Sequence, residues 1–233
     1  MIKLNPEDFL SGQLLLVNKP LTWTSFDVVN KIRFVLRGYT GVKKIKVGHA
    51  GTLDPLATGL LLICTGRFTK RIDEFQGMPK SYRATILLGE ETPSFDAETE
   101  VSQRYEISNL TIGDVEKAMS TFVGEIDQVP PIYSAIKKEG RKLYELAREG
   151  EEFKPSARRV NITKFALVEN NWPEIIADVD CSKGTYIRSL AHDLGKAVNS
   201  GAYLSGLVRT SIGAYKLEDA ISVEEFIATY NSK

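Results

Sequence analysis

Apolar residues recur three and four positions apart in several stretches of the chain, a spacing typical of amphipathic helices. The first stretch predicts a helix over residues 26–37, with Ser25 as its N-cap and Gly38 as its stop. The same spacing predicts helices over residues 112–123, 186–196 and 223–230. In the third of these, Arg188 falls in the first turn, where the helix dipole disfavours a cation and a carboxylate or phosphate partner is therefore expected.

Other stretches alternate between apolar and polar residues, or are short apolar runs, and predict strands. They are residues 14–17, 81–89, 160–168 and 174–181. In residues 81–89, Tyr82 shares a face with Ala84, Ile86 and Leu88. Strands and helices are intermixed without regular alternation, which favours an α+β fold.

The apolar run Leu60–Cys64 is bounded by Gly59 and Gly66. It predicts either a fully buried strand or a short core helix. The run is far too short to span a bilayer, and the N-terminus lacks a charged segment followed by an apolar one. We therefore expect a cytoplasmic protein without membrane association.

The composition is ordinary for a globular protein, with 42% hydrophobic and 26% charged residues among 233. This length suits one substantial core or two small ones. Cys64 and Cys181 lie in apolar settings without metal-ligand spacing, so we expect buried thiols and neither a disulfide nor a metal site.

The net charge is zero, with 30 basic and 30 acidic residues, but the charges are segregated. Basic residues cluster at positions 43–46, 67–71 and 137–159, whereas acidic residues concentrate at positions 90–100. Such segregation is compatible with phosphate binding, although solvated helix faces would look similar. We expect the acidic segment 90–101 to be a flexible flap.

Residues 46–56 precede the apolar run and have the composition of a shaped loop. Gly48 and Gly51 supply backbone freedom, and Pro55 moves Asp54 out of the helical region. One carboxylate and the His49 imidazole are thus placed on a loop held against the core. An aspartate before proline is also a common turn opener, and His49 could equally be a hydrogen-bonded loop histidine.

A resemblance to a known protein family favours the functional interpretation of Asp54 and His49. The string Gly-His-x-Gly-Thr-Leu-Asp-Pro-x-Ala-x-Gly-x-Leu over residues 48–61 closely resembles the catalytic motif of the TruB-type tRNA pseudouridine synthases. Residues 128–148 are similar to the family string Gln-x-Pro-Pro-x-Tyr-Ser-Ala-x-Lys-x-x-Gly-x-x-Tyr-x-x-Ala-Arg, with one additional residue between Gly140 and Tyr144. Residues 182–190, Ser-x-Gly-Thr-Tyr-Ile-Arg-Ser-Leu, resemble its arginine motif, and residues 207–213 its Leu-x-Arg-Thr-x-x-Gly motif. The opening Lys-Pro-x-Gly-x-Thr-Ser motif departs at Thr22, where the family usually has glycine.

The resemblance implies the pseudouridine synthase fold, a mixed and largely antiparallel central sheet flanked by helices. It covers the chain from about Gly12 to Ala220 as one catalytic domain, residues 1–233, without a separate C-terminal PUA-like RNA-binding domain.

The implied reaction cleaves the N1–C1′ bond of a uridine in the T-loop of tRNA and rejoins C5 to C1′. It is an isomerisation, so we expect no cofactor and no metal. By this resemblance Asp54 is the nucleophile, Arg188 is its electrostatic partner, and Tyr82 stacks on the base and handles the C5 proton. Whether Asp54 attacks C1′ or C6 stays open. For Tyr82 taken alone, the alternative is a core aromatic with a wet hydroxyl.

The target base must be flipped out of the RNA stack before it can react. The resemblance implies that His49 fills the vacated space. Further RNA contacts are expected from the following residues: Lys19, Gly51, Thr52, Tyr133, Lys137, Arg141 and Lys183. A basic helix is expected from about Arg141 to Arg148, with solvated charges over packed tyrosines as the alternative. His192 is expected at the surface.

The expected partner is the T-arm stem-loop of tRNA, bound by a monomer that needs no obligatory guide RNA. A catalytically inactive tRNA-binding or tRNA-folding module is the alternative function, and the presence of Asp54, Tyr82 and Arg188 argues against it. A guide-RNA-dependent relative is disfavoured because such enzymes are longer.

Overall fold

The computed structural model describes residues 3–133, 137–138, 141–142 and 155–230. The chain divides into two compact units, residues Met1–Tyr82 with Val208–Lys233, and residues Arg83–Leu207. Both units combine sheet with helices, so the predicted α+β class is confirmed. Within the described ranges, no helix is long and apolar enough to cross a membrane.

The elements are labelled in chain order. The helices are α1 (Pro6–Ser11), α2 (Ser25–Thr40), α3 (Ile72–Gly77), α4 (Ile112–Thr121), α5 (Ile187–Ala197) and α6 (Val223–Tyr230), with 3₁₀ turns at Gly66–Arg71 and Leu217–Asp219. The strands are β1 (Leu14–Lys19), β2 (Val47–His49), β3 (Ala57–Thr65), β4 (Lys80–Leu88), β5 (Glu90–Glu91), β6 (Gln103–Arg104), β7 (Gly124–Gln128), β8 (Lys137–Lys138), β9 (Arg141–Lys142), β10 (Arg158–Asn171), β11 (Glu174–Cys181), β12 (Ala202–Ile212), β13 (Tyr215–Lys216) and β14 (Ile221–Ser222).

In the first unit, the sheet order is β14–β1–β3, followed by the end of β12. β1 runs parallel to β14 and antiparallel to β3, so this sheet is mixed. β2 pairs with β3 antiparallel and leads into the Asp54 loop. α1, α2 and α6 cover one face of the sheet in an apolar cluster that includes Phe9, Ile32 and Phe226.

The apolar run Leu60–Cys64 forms the middle of β3, and all five side chains are fully buried. The strand interpretation is therefore confirmed over the core helix. Its side chains alternate between the α2 side and a second cluster around Phe75, which explains why the run has no polar position.

The bounds of α2 differ from the prediction at both ends. Thr24, not Ser25, is the N-cap, and it exchanges hydrogen bonds with Asp27 in a capping box. The helix passes through Gly38 and ends at Gly41, which takes the left-handed conformation with φ 70°. The extra turn carries Tyr39, whose ring packs at 6.1 Å from that of Phe9.

In the second unit, the order is the start of β12, then β4, β11, β10 and β7. β10 runs antiparallel to both β7 and β11. Ala84, Ile86 and Leu88 are buried, as the alternation in β4 predicts, and Tyr82 on the same face is partly buried.

Two predictions in this unit are wrong. The acidic segment 90–101 is not a flap, because Thr92, Ser94 and Asp96 are buried and hydrogen-bonded. His192 is buried rather than at the surface, with 8% of its surface exposed, because its ring stacks on Phe95.

The predicted basic helix from Arg141 to Arg148 is wrong at its start. Arg141 and Lys142 lie in β9, which pairs antiparallel with β8. Residues 143–154 lie outside the described residues.

Candidate active site

Asp54 lies on the loop between β2 and β3 and is partly buried. The Ser25 hydroxyl fixes the residue before it, accepting a hydrogen bond from the Leu53 N–H at 2.8 Å and donating one to the Leu53 carbonyl at 3.2 Å. The Ala57 N–H donates to the Asp54 carbonyl at 3.0 Å. The backbone on both sides of the carboxylate is therefore held by buried partners.

Lys19 holds the same loop from the end of β1. Its ammonium is fully buried and donates to the carbonyls of Pro20 at 3.0 Å, Trp23 at 2.5 Å and Pro55 at 3.4 Å. Burial lowers the pKa of Lys19 to about 8, while attraction to the Asp54 carboxylate acts in the opposite direction. The two charges are thus close enough to stabilise each other. The predicted contact of Lys19 with RNA stays a prediction.

Arg209 is a site residue whose role the sequence did not indicate. Its guanidinium is almost fully buried and donates to the carbonyls of Leu60 at 2.7 Å, Gly51 at 3.2 Å and Thr52 at 3.3 Å. Burial lowers the pKa of Arg209, which nevertheless stays a cation at neutral pH. From β12, the arginine therefore holds the start of the Asp54 loop and the strand β3 that follows the loop.

Tyr82 completes this part of the site through Arg209. The side chains of Tyr82 and Arg209 are hydrogen-bonded, and this interaction raises the pKa of the arginine against the effect of burial. Because the guanidinium can only donate, the tyrosine oxygen is the acceptor. Burial is partial, so the ring is neither a pure core residue nor a free surface residue.

His49, at the end of β2, is partly buried. Its Nδ1 atom is buried and has no hydrogen-bond partner within the described residues. Burial lowers the pKa of His49, and the nearby Gly51 backbone offsets part of that effect. The ring is consequently neutral at pH 7, in the form suited to stacking rather than to ion pairing.

Arg188 lies in the second unit, in the first turn of α5 as predicted. It is 5% exposed, and its Nη1 atom lies 3.4 Å from a carboxylate oxygen of Asp96 and 3.4 Å from the Ser94 carbonyl. The expectation of a carboxylate partner near this helix start is thus met within the unit by Asp96. That pair was not foreseen, because the acidic segment was interpreted as solvated.

The turn that carries Asp96 is closed by short polar side chains. Thr92 and Ser94 donate their hydroxyl hydrogens to the Asp96 carbonyl at 2.7 and 3.2 Å. The Thr99 hydroxyl oxygen accepts from the Ser94 N–H at 3.1 Å. These hydrogen bonds fix the backbone of Asp96, and thereby the position of the carboxylate that contacts Arg188.

The remaining predicted RNA-binding residues of this unit lie in different settings. Lys183 is exposed in the turn before α5, and Tyr133 is partly buried. Lys137 lies on strand β8 and Arg141 on strand β9. Their contacts with RNA stay predictions.

Gln128 connects the Pro-Pro segment to the start of α5. Its side-chain amide donates to the Tyr186 carbonyl at 3.0 Å and accepts from the Tyr186 N–H at 2.8 Å. A third link comes from the Ser189 hydroxyl, which donates to the Val129 carbonyl at 2.7 Å. These bonds fix the residue that precedes the arginine helix.

The predicted catalytic residues fall in both units. Asp54 and Tyr82 belong to the first, together with His49, Lys19 and the Gly51–Thr52 backbone, whereas Arg188 belongs to the second. The predicted pairing of Arg188 with Asp54 stays a prediction. In the part of the chain that the structure describes, no group of histidine, cysteine or acidic residues could hold a metal ion.

Comparisons with known proteins agree with the motif. The family model described as "TruB family pseudouridylate synthase (N terminal domain)" matches residues 37–187. The chain is 54% identical over 219 residues to tRNA pseudouridine synthase B of Phocaeicola vulgatus, covering 94% of this chain and 93% of that protein. Identity to the protein of the same name from Parabacteroides distasonis is 56% over 218 residues, with the same coverage of 94% and 93%.

Solved structures agree on the fold. A Cbf5–Nop10–Gar1 complex contains a chain that is 26% identical with a TM-score of 0.70, over 96% of this chain and 58% of that one. The archaeal box H/ACA sRNP Nop10–Cbf5 complex gives 24% identity and a TM-score of 0.68, over 95% and 54%. The chain thus spans little more than half the length of these structural relatives. On the family match and the identities above 50%, the chain belongs to the TruB family of pseudouridylate synthases.

Proposed function

We propose that this protein isomerises a uridine of tRNA to pseudouridine, as its relatives named tRNA pseudouridine synthase B indicate. The observation that carries the proposal is the Asp54 loop, in which a carboxylate is held by buried hydrogen bonds from Ser25, Lys19 and Arg209 to the backbone around it. A module that only binds RNA has no need of a carboxylate fixed in this way. The inactive binding or folding module is therefore not favoured.

Asp54 is the nucleophile of the proposed mechanism. A carboxylate attacks only when it is ionised, and burial alone would disfavour that form. The nearby Lys19 ammonium favours it, because opposite charges attract strongly where water is partly excluded. Attack forms a bond between Asp54 and the uridine, the N1–C1′ bond breaks, and the base rotates. When C5–C1′ forms, the bond to Asp54 breaks and the carboxylate is regenerated; C5 then loses its proton and N1 gains one. Substrate and product have the same atoms, so no co-reactant is consumed.

Tyr82 is proposed to stack on the uracil and to receive the C5 proton. Its oxygen accepts a hydrogen bond from Arg209, which fixes the position of the phenol group. Arg209 also holds the Asp54 loop, so the nucleophile and the proton acceptor share one rigid support.

Arg188 is proposed as the third catalytic residue, in the role that the family motif assigns to it. Its charge is fixed in place by Asp96 and the Ser94 carbonyl.

The finer assignment of the substrate is the T-arm stem-loop, bound by a monomer without a guide RNA. The target base would be flipped out of the stack, at a cost of a few kcal/mol. His49, neutral and partly exposed, is proposed to stack in the space that the base leaves. Lys183, Lys137, Arg141, Tyr133 and Thr52 are proposed to contact the RNA backbone and loop bases.

The experiment uses an unmodified tRNA transcript and the purified protein. Pseudouridine is located by carbodiimide labelling and primer extension, with a transcript that has cytidine at the T-loop target uridine as the control. One new stop in the T-loop, absent in the control, is expected. Stops elsewhere in the tRNA would refute the T-arm assignment, and binding without any stop would refute the activity.

A further inference from the structure

His192 and Phe95 form an aromatic pair that the proposed mechanism does not use. Their ring centroids lie 3.8 Å apart and their planes differ by 12°, so the imidazole lies flat on the phenyl ring. His192 is 8% exposed, and it lies one helical turn after Arg188 on α5. Residues four apart on a helix point to the same side, so both side chains reach the turn of residues 92–96.

Phe95 lies between the two residues that contact the Arg188 guanidinium. Ser94 supplies a carbonyl at 3.4 Å and Asp96 a carboxylate oxygen at 3.4 Å. The turn is therefore attached to α5 at two points, by charge at Arg188 and by ring stacking at His192. A change at the second point must alter the geometry at the first, because the stacked ring belongs to the residue directly between the two contacts.

The backbone of Phe95 supports a positioning role. Its φ is 63°, in the left-handed region that bulky residues rarely adopt. The conformation is held by the Phe95 N–H bond to the Thr92 carbonyl at 3.2 Å and by the Leu204 N–H bond to the Phe95 carbonyl at 3.0 Å. A phenylalanine kept in a conformation better suited to glycine indicates that the ring itself is needed there.

The imidazole of His192 is uncharged at neutral pH. Burial lowers the pKa of His192 to about 4, with a further lowering from Lys196 that Glu91 opposes. Its Nδ1 atom lies 3.7 Å from a Glu91 oxygen, which is beyond hydrogen-bonding distance, and it is buried without a hydrogen-bond partner within the described residues. What the ring offers at neutral pH is a flat surface.

We propose that His192 and Phe95 are positioning residues for Arg188: their stacking fixes the Ser94–Asp96 turn that holds the guanidinium in its catalytic orientation. The inference rests on the proposed function, since it assigns Arg188 a part in the reaction.

The kinetic test compares His192→Ala, His192→Phe and Phe95→Gly with the wild type on a T-arm RNA. His192→Ala should lower kcat by about 10- to 100-fold while KM changes little, because a displaced group costs rate more than binding. His192→Phe keeps a flat ring and should restore kcat to within about threefold of the wild type. Phe95→Gly relieves the left-handed strain but removes the stacked ring, so its effects on stability oppose each other, and it should lose kcat while still folding.

Phe122→Leu is the matched control. Phe122 packs edge-on against Phe165 at 6.3 Å in the same unit and lies outside the Arg188 cluster. It should lower the unfolding midpoint without lowering kcat. An unchanged kcat in His192→Ala or Phe95→Gly, or an equal loss in Phe122→Leu, would overturn the proposal.

A second readout does not depend on activity. The Arg188 side-chain N–H signal, identified by its loss in Arg188→Lys, reports hydrogen exchange in arginine-labelled protein. Exchange should be at least about tenfold faster in His192→Ala and Phe95→Gly and unchanged in Phe122→Leu, because a loosened side chain exchanges faster. If the wild type shows no reaction, the proposed function fails while this signal still decides the positioning role. Unchanged exchange in both variants would refute that role.

Discussion

The backbone of Arg209 passes directly beneath Gly59, so closely that a β-carbon on Gly59 would fall 2.4 Å from the Arg209 carbonyl oxygen. Gly59 also has a φ of 103°, which is unfavourable for any residue with a side chain. This approach lets β12 bring the Arg209 guanidinium against the carbonyls of the Asp54 loop. The glycine of the catalytic motif is thus required by packing, and its effect on chemistry is indirect.

Gly59→Ala should therefore destabilise the protein by at least about 3 kcal/mol, since both the clash and the backbone angle oppose it. The measurement is the free energy of unfolding from denaturant titration. Gly38→Ala is the matched control: Gly38 lies inside α2, and a β-carbon added there would have no neighbouring atom within 4 Å. That change should stabilise the protein by about 0.5–1 kcal/mol, and equal effects of the two substitutions would contradict the packing argument.

Ser25→Ala should loosen the Asp54 loop. It removes both hydrogen bonds to Leu53 and leaves a buried N–H and carbonyl without partners, at a cost of about 2 kcal/mol. Because Leu53 precedes the nucleophile, kcat should fall more than KM rises. Ser120→Ala, which removes an exposed hydroxyl, provides the comparison, and a wild-type kcat in Ser25→Ala would show that this anchor is dispensable.

Thr22→Gly should stabilise the protein. Thr22 has a φ of 69°, a strained conformation for a β-branched residue, and its N–H donates to the Pro55 carbonyl at 2.8 Å. Relief of about 1–2 kcal/mol of strain exceeds the added backbone entropy, giving a net gain of about 0.5–1 kcal/mol. Thr22→Ala keeps a β-carbon and should gain little, so equal gains from alanine and glycine would contradict the role of strain. Thr22, which stands where the family usually has glycine, thus still has the left-handed backbone conformation that suits glycine.

Stability should depend on pH through His192. Its pKa is lowered from 6.5 to about 4 in the folded protein, so between these values the unfolded chain binds a proton that the folded protein does not. Stability is therefore fully present above pH 6.5 and falls as the pH is lowered toward 4, by at most about 3 kcal/mol from this group. The measurement is urea unfolding of the wild type and of His192→Phe across this pH range. Glu91, Lys196 and His49 are present in both proteins, so their own titration does not distinguish the two. A parallel pH dependence in the two proteins would contradict the lowered pKa.

Local patterns predicted much of the fold and the position of the main site residues. The apolar run predicted β3 as one of two alternatives, the helical spacing predicted α5, and the glycines and Pro55 predicted the loop that carries Asp54. The strand β2 before that loop was not predicted. These features depend on neighbours along the chain, which periodicity and turn chemistry report directly.

Features that depend on distant residues were missed. Arg209 contacts a carbonyl that is 149 residues away in sequence, and the Leu-x-Arg-Thr-x-x-Gly motif marked this arginine without indicating what it contacts. The segment with Asp96 was predicted to be solvated because of its acidic composition. Composition does not reveal that the Phe95 carbonyl accepts a hydrogen bond from the Leu204 N–H, or that the Phe95 ring stacks on His192. Such contacts form only when β12 and α5 are in place, and composition carries no information about them.

The most direct test of Asp54 as nucleophile is tritium release from a T-arm RNA labelled at uridine C5, measured with the wild type, Asp54→Asn and Asp73→Asn. Asp73 is an exposed aspartate at the start of α3, which makes Asp73→Asn a matched loss of charge. The wild type and Asp73→Asn should release tritium at the same rate, whereas Asp54→Asn should release none while binding the RNA with unchanged affinity. Release by Asp54→Asn at the wild-type rate would contradict the role of Asp54, and binding without release by all three proteins would contradict the synthase activity itself.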